Sequence, residues 1–175
     1  LGEKANATRP EIEQILIRCE KPIGQEQFER ELYIIRRRIE KAATAAGIQG
    51  MYLCSLSCRS IIYKGMMLAE QVATFYPDLM DERVEGAVAI YHQRYSTNTW
   101  PTWDRAHPYR YLAHNGEINT VQGNYNWMRA REGVMSSPVL QADLKKLYPI
   151  SFPHQSDTAT FDNCLELLTM AGYPL

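Results

Sequence analysis

The chain has 175 residues, 45% of them hydrophobic, which is enough for one domain with a real core. Its formal net charge of -1 argues against a dedicated nucleic-acid or membrane-surface binder. No apolar run approaches the roughly 18–20 residues of a membrane-spanning helix, and the opening LGEKANATRP lacks the basic start and apolar stretch of a signal peptide. Without an initiator methionine, the chain is expected to be an excised piece of something larger.

Taken in order, Ile12, Ile15 and Leu16 form a short periodic patch that predicts a helix after Pro10. Residues 24–46 are the clearest helix: Phe28, Leu32, Ile35, Ile39, Ala42 and Ala46 recur at three- and four-residue steps, and Gly47 supplies a stop. The Arg36-Arg37-Arg38 run on it is expected to be a solvated face rather than a phosphate site. Two short apolar runs, 51–57 and 60–64, predict a hairpin or two neighbouring strands. Residues 66–75 read as a short helix ending near Pro77, and 86–92 as a strand.

The four cysteines are Cys19, Cys54, Cys58 and Cys164. Cys54 and Cys58 have the spacing of a metal pair, but no second pair or neighbouring histidine completes it. Buried structural thiols in a reducing, cytoplasmic compartment are the expectation. Past Gly116, residues 119–131 read as a helix capped by Asn119 or Thr120, with Val121, Tyr125, Met128 and Trp127 facing inward. Residues 133–155, with Pro138, Pro149 and Pro153, read as loop. Ser156-Asp157-Thr158 opens a last helix carrying Phe161, Leu165, Leu168 and Met170. The whole is an α+β layout with antiparallel pairing.

The densest chemistry lies in YHQRYSTNTWPTWDRAHPYRYLAHNGEIN, residues 91–119. Pro101, Pro108 and Gly116 break it, so it is read as two strands delivering polar groups to one edge. Arg94 there is suited to clamping a carboxylate with two parallel hydrogen bonds, or to a structural ion pair. Ser96, Thr97 and Asn98 add short donors and acceptors. Asn115 beside the unobstructed backbone of Gly116 can present two donors to one oxygen, as an oxyanion hole requires, or form an ordinary Asn-Gly turn. Asp157 is read as a helix N-cap or as the holder of a substrate ammonium. His92, His107, His114 and His154 show no metal spacing, and no cysteine has an activating neighbour in sequence.

The strings YHQRYSTNT and AHPYRYLAHNGEINTVQGNYNWMRARE, flanked by FERELYIIRRRIE, SLSCRSIIYKGM and SDTATFDNCLELL, resemble the glutaminase (class II glutamine amidotransferase) domain of glutamate synthase large subunits. The resemblance covers the chain from about residue 9 to its end. It implies an N-terminal-nucleophile hydrolase fold, a four-layer α/β/β/α sandwich of antiparallel sheets, of which residues 1–175 are one partial domain lacking its first strands. It implies that an N-terminal cysteine, absent from this chain, forms a thioester with glutamine and releases ammonia and glutamate. Carried over motif by motif, Arg94 binds the α-carboxylate beside Tyr95 and Thr97, Asn115 and Gly116 form the oxyanion hole, and Asp157 holds the α-ammonium. No cofactor or metal is expected in this segment. FMN and a 3Fe–4S cluster are implied for the full-length enzyme. Its expected partners are L-glutamine, the synthase domain, and a small NADPH-oxidising subunit or ferredoxin, in cytoplasm or a plastid stroma. The alternatives are a non-catalytic glutamine-binding module and the glutaminase domain of another class II amidotransferase.

Overall fold

The computed structural model describes residues 1–95, 100–114, 116, 118 and 120–174. Five α-helices occur among them: α1 Glu3–Ala7, α2 Gln25–Ala45, α3 Val72–Phe75, α4 Val121–Glu132 and α5 Asp157–Met170. Three 3-10 segments, Ala69–Gln71, Pro77–Met80 and Gln141–Leu147, punctuate the rest. No strand occurs among the described residues. The runs read as strands, 51–57, 60–64 and 86–92, are irregular or extended backbone without a ladder. A strand's N–H and C=O groups need a neighbouring strand, and periodicity alone does not supply one. Around 109–113 the Tyr109 N–H donates to the Leu112 carbonyl at 2.9 Å, so the chain turns back on itself there.

Helix α2 ends where the sequence says it should. Gly47 takes φ +69°, its N–H donates to Thr44, and the Ile48 N–H donates to Ala43, which satisfies the last carbonyls of the helix. Its inward face is different from the expected one. Glu29, Leu32, Tyr33, Arg36 and Arg37 are buried, whereas Ile35 and Ile39 are exposed. Arg36 and Arg37 are 1% and 2% exposed, so the solvated face expected of the arginine run holds only for Arg38. Two carboxylates reverse the expectation: Arg36 pairs with Glu40 and with Glu166 of α5. Arg37 donates to Glu40 at 2.9 Å and to the carbonyls of Leu147 and Pro149, and its guanidinium stacks over Phe152.

The same inversion holds in α5, where Asp162, Asn163, Glu166, Leu167 and Met170 are buried while Phe161 and Leu168 are exposed. Arg110 completes the network, donating through Nε to Glu166 at 3.0 Å and pairing with Asp162 at 2.9 Å. Burial pushes the Glu166 carboxyl above the usual carboxylate range, and Arg36 and Arg110 oppose it. Beside this network sits the apolar core of Tyr33, Leu140, Leu144, Leu147, Ile150, Leu167 and Met170. Four of those seven come from 133–155, the stretch read as loop. Its 3-10 turn places Leu144 and Leu147 on one side, a three-residue period that a search for helix or strand misses.

The remaining helices depart in smaller ways. Helix α1 precedes Pro10 rather than following it, and Ile15 and Leu16 are exposed. The helix expected over 66–75 is realised as a 3-10 turn running into α3. In α4, Tyr125 and Met128 are half-buried, but Val121 is exposed and Trp127 is 70% exposed, so two of the four expected inward residues face out. Thr120 occupies the cap position in the left-handed region, φ +60°, and its carbonyl accepts the Asn124 N–H at 2.8 Å. Asn119 lies outside the described residues. No helix among the described residues is long and apolar enough to cross a membrane.

The ion network makes a definite stability prediction. Asp162 is fully buried, and replacing Arg110 by alanine leaves its carboxylate without its counter-charge and leaves Glu166 with Arg36 alone. Arg110→Ala is expected to destabilise the fold by roughly 3–5 kcal/mol, read from the urea midpoint at constant m-value.

Candidate active site

The polar edge is assembled from the 91–95 segment, the 107–118 segment and the start of α5. Ser156, not Asp157, caps α5: its hydroxyl accepts the Ala159 N–H at 3.1 Å. That corrects one of the two readings of Asp157, because the cap position is already taken. The Asp157 carboxylate turns instead toward the 114–118 segment, and its Oδ2 accepts the Ile118 N–H at 2.9 Å. Its Oδ1 accepts the Thr158 N–H at 2.6 Å and lies 3.2 Å from the Thr158 hydroxyl. A carboxylate in the first turn of a 14-residue helix also sits at the positive end of the helix dipole.

Gly116 is exposed, and a Cβ built on it would stand 3.3 Å from Nδ1 of His114. The residue is therefore open toward solvent on one side and closed by an imidazole on the other. Arg94 is exposed, and its backbone N–H donates to His92 Nδ1 at 3.1 Å. Tyr95 is half-buried, and burial, together with the charge of Asp104, pushes its phenol well above the ordinary range. Of the remaining expected site residues, Thr97 and Asn115 lie outside the described residues, as do Ser96 and Asn98.

Three histidines that were read separately form a row. The His92 and His107 rings lie 4.6 Å apart, His107 and His114 6.1 Å apart, and the Tyr109 ring meets His107 edge-on at 5.0 Å. The row begins at the residue that receives the Arg94 N–H and ends at Thr158, whose hydroxyl lies 2.9 Å from His114 Nε2. It thus links the two proposed charge-binding positions, Arg94 and Asp157. The rings meet tilted or edge-on in succession rather than converging on one point. Among the described residues no three His, Cys, Asp or Glu side chains gather to hold a metal ion. The only sequence signal for the row was the aromatic density of the segment, because stacking across a turn has no fixed spacing.

Cys54, Cys58 and Cys164 are not activated for attack. Cys19 and Cys58 are exposed, and Cys54 and Cys164 are half-buried. Burial raises the thiols of Cys54 and Cys164, and burial together with a hydrogen bond to Glu29 raises that of Cys58. A nucleophilic thiol requires the opposite shift.

The class-II glutamine amidotransferase family, as a sequence family, matches residues 1–175, and the chain belongs to it. The large chain of the NADPH glutamate synthase of Azospirillum brasilense is 59% identical over 98% of this chain, which corresponds to 11% of that protein. The chloroplastic ferredoxin-dependent glutamate synthase of Spinacia oleracea is 47% identical, and the NADH glutamate synthase of Saccharomyces cerevisiae 44%, each over 98% of this chain. The chain spans 11% and 8% of those two proteins. The resemblance carried by YHQRYSTNT and AHNGEINT is thus borne out. Membership implies the N-terminal-nucleophile hydrolase fold, to which the described residues contribute helices and irregular or extended chain.

The histidine row carries a pH prediction. Burial, followed by the nearby His92, His114 and Lys64 charges, pushes His107 down to about 4 from an ordinary 6.5, against a smaller pull from Asp157. A depressed imidazole is neutral in the folded chain while the unfolded chain takes up a proton. Its contribution to stability is therefore complete above about pH 6.5 and is lost as pH falls toward about 4. Denaturant titration across that window should show stability falling with acid, and His107→Gln should flatten the slope.

Proposed function

We propose that this chain is the glutamine-hydrolysing part of a glutamate synthase large subunit, binding L-glutamine and releasing ammonia and glutamate. The observation that carries the reading is Asp157. Its carboxylate is released from capping by Ser156 and held instead by the Ile118 N–H, two residues past Gly116, where it can serve as the counter-charge of an amino-acid ammonium. Arg94, exposed and carried beside the histidine row, supplies the opposite end of a zwitterion clamp through its bidentate guanidinium. Tyr95 and Thr97 flank that end. Asn115 and Gly116 supply the donors for the oxyanion that develops on the side-chain carbonyl.

In this reading the nucleophile is an N-terminal cysteine outside residues 1–175, which forms a γ-glutamyl thioester that water then cleaves. The raised thiols of Cys54, Cys58 and Cys164 support that assignment. Residues 1–175 form one partial domain of a four-layer α/β/β/α sandwich. The runs 60–64 and 86–92, which leave Ile61, Val88, Ile90 and Tyr91 exposed, are the strands that the rest of the sandwich would pair and cover. The same covering would exclude water from Gly116 and strengthen the oxyanion contacts. Ammonia passes to a synthase site elsewhere in the protein. In this reading FMN and the 3Fe–4S cluster belong to that site. A small NADPH-oxidising subunit or ferredoxin supplies electrons, in cytoplasm or plastid stroma.

Three measurements test this reading. The purified 175-residue chain is expected to release no ammonia from glutamine, and release above the uncatalysed rate would overturn the external nucleophile. In the full-length enzyme, Arg94→Lys is expected to raise the glutamine KM strongly while sparing kcat, because one ammonium does not reproduce the guanidinium fork. Asn115→Ala is expected to lower kcat by roughly 10²–10³, as loss of an oxyanion donor does. An unchanged kcat would remove its catalytic role.

A further inference from the structure

We propose that Thr158 and His114 are positioning residues that hold the Asp157 carboxylate in register with the 114–118 segment. The proposal rests on the reading of Asp157 as the ammonium ligand. Thr158 is 5% exposed and presents its hydroxyl to two groups, Asp157 Oδ1 at 3.2 Å and His114 Nε2 at 2.9 Å. A carboxylate that faces an ammonium has no hydrogen of its own to donate. The single hydroxyl hydrogen of Thr158 therefore goes to Oδ1, and its oxygen accepts the Nε2–H of His114. The other ring nitrogen, Nδ1, lies on the side facing Gly116, where the missing Cβ gives the ring room.

The consequence is a double strap. One carboxylate oxygen is tied to the 114–118 segment directly, through the Ile118 N–H, and the other through Thr158 and His114. The terminal torsion of an aspartate is broad when unrestrained, so two ties on different oxygens set the plane of the group as well as its place. Register matters because the ligand's ammonium and its side-chain carbonyl are separated by a fixed set of bonds. A clamp that drifts relative to Gly116 cannot hold both ends at once. Such a strap acts on ground-state and transition-state binding alike, so its loss belongs in KM rather than kcat.

The test uses the full-length enzyme and follows ammonia release from glutamine. Thr158→Val keeps the shape and removes the hydroxyl, and should raise the glutamine KM by roughly ten- to a hundredfold with little change in kcat. Thr158→Ser should restore it. His114→Phe, which removes the donor at the other end of the link, should raise KM in the same way and serves if the valine variant does not fold. Asp157→Asn, measured alongside, tests the underlying reading. An unchanged KM there overturns the ammonium assignment itself. A raised KM in Asp157→Asn with a normal KM in Thr158→Val or His114→Phe overturns the strap alone. Failure of Thr158→Ser to restore KM does the same, because the effect would then come from packing of the methyl group.

Discussion

Two arginines packed against two buried carboxylates hold this chain together. Arg36 on α2 and Arg110 on the 107–118 segment meet on Glu166 of α5, and Arg110 reaches on to Asp162. Such a cluster gains little over a well-packed apolar interface, since each ion loses its water on burial. What it provides is uniqueness: Asp162 Oδ1 also takes the Tyr111 N–H at 2.7 Å, so only one placement of the 107–118 segment satisfies the whole set. Arg37 does a related job for the 147–150 turn, whose carbonyls it gathers.

The candidate site depends on that placement through one helix. Asp157 and Glu166 are nine residues apart on α5, about 13 Å along its axis. The helix therefore presents the Asp157 carboxylate at one end and its structural carboxylates further along. The segment pinned by Asp162 at Tyr111 continues directly to His114 and Gly116, so both partners of the Asp157 strap are placed by the same buried charges. The histidine row then carries the arrangement outward to His92 and the backbone of Arg94. Electrostatics at the core and hydrogen bonding at the edge are one connected structure.

Several features were readable in advance because they rest on local chemistry. The α2 stop at Gly47 follows from a backbone conformation that glycine adopts without strain. The start of α5 follows from a small hydroxyl residue ahead of a helical run, although the capping oxygen proved to be that of Ser156. The inward face of α2 was misread for a specific reason. Apolar periodicity locates the buried side of a helix only when the neighbour is apolar, and here the neighbour presented Glu166. Leu144 and Leu147 were missed because a 3-10 turn has neither of the two periods that sequence patterns detect. The runs expected to pair as strands form no ladder among the described residues, because an apolar run acquires one only from a partner strand alongside it.

By itself, the amino-acid sequence nominated the candidate residues for the chemistry. Arg94, Asn115, Gly116 and Asp157 were identifiable from their functional groups and from motifs long enough to be specific, since functional groups and motif wording are properties of residue order. Tertiary structure alone decided which groups share a neighbourhood. It turned an arginine run expected to face solvent into the centre of the fold, turned three unrelated histidines into a row, and turned the Asp157 carboxylate from capping to the Ile118 N–H. The physical reason is that burial, ring stacking and hydrogen bonds between residues 44 or 130 positions apart depend on distances in space, which local sequence spacing does not encode.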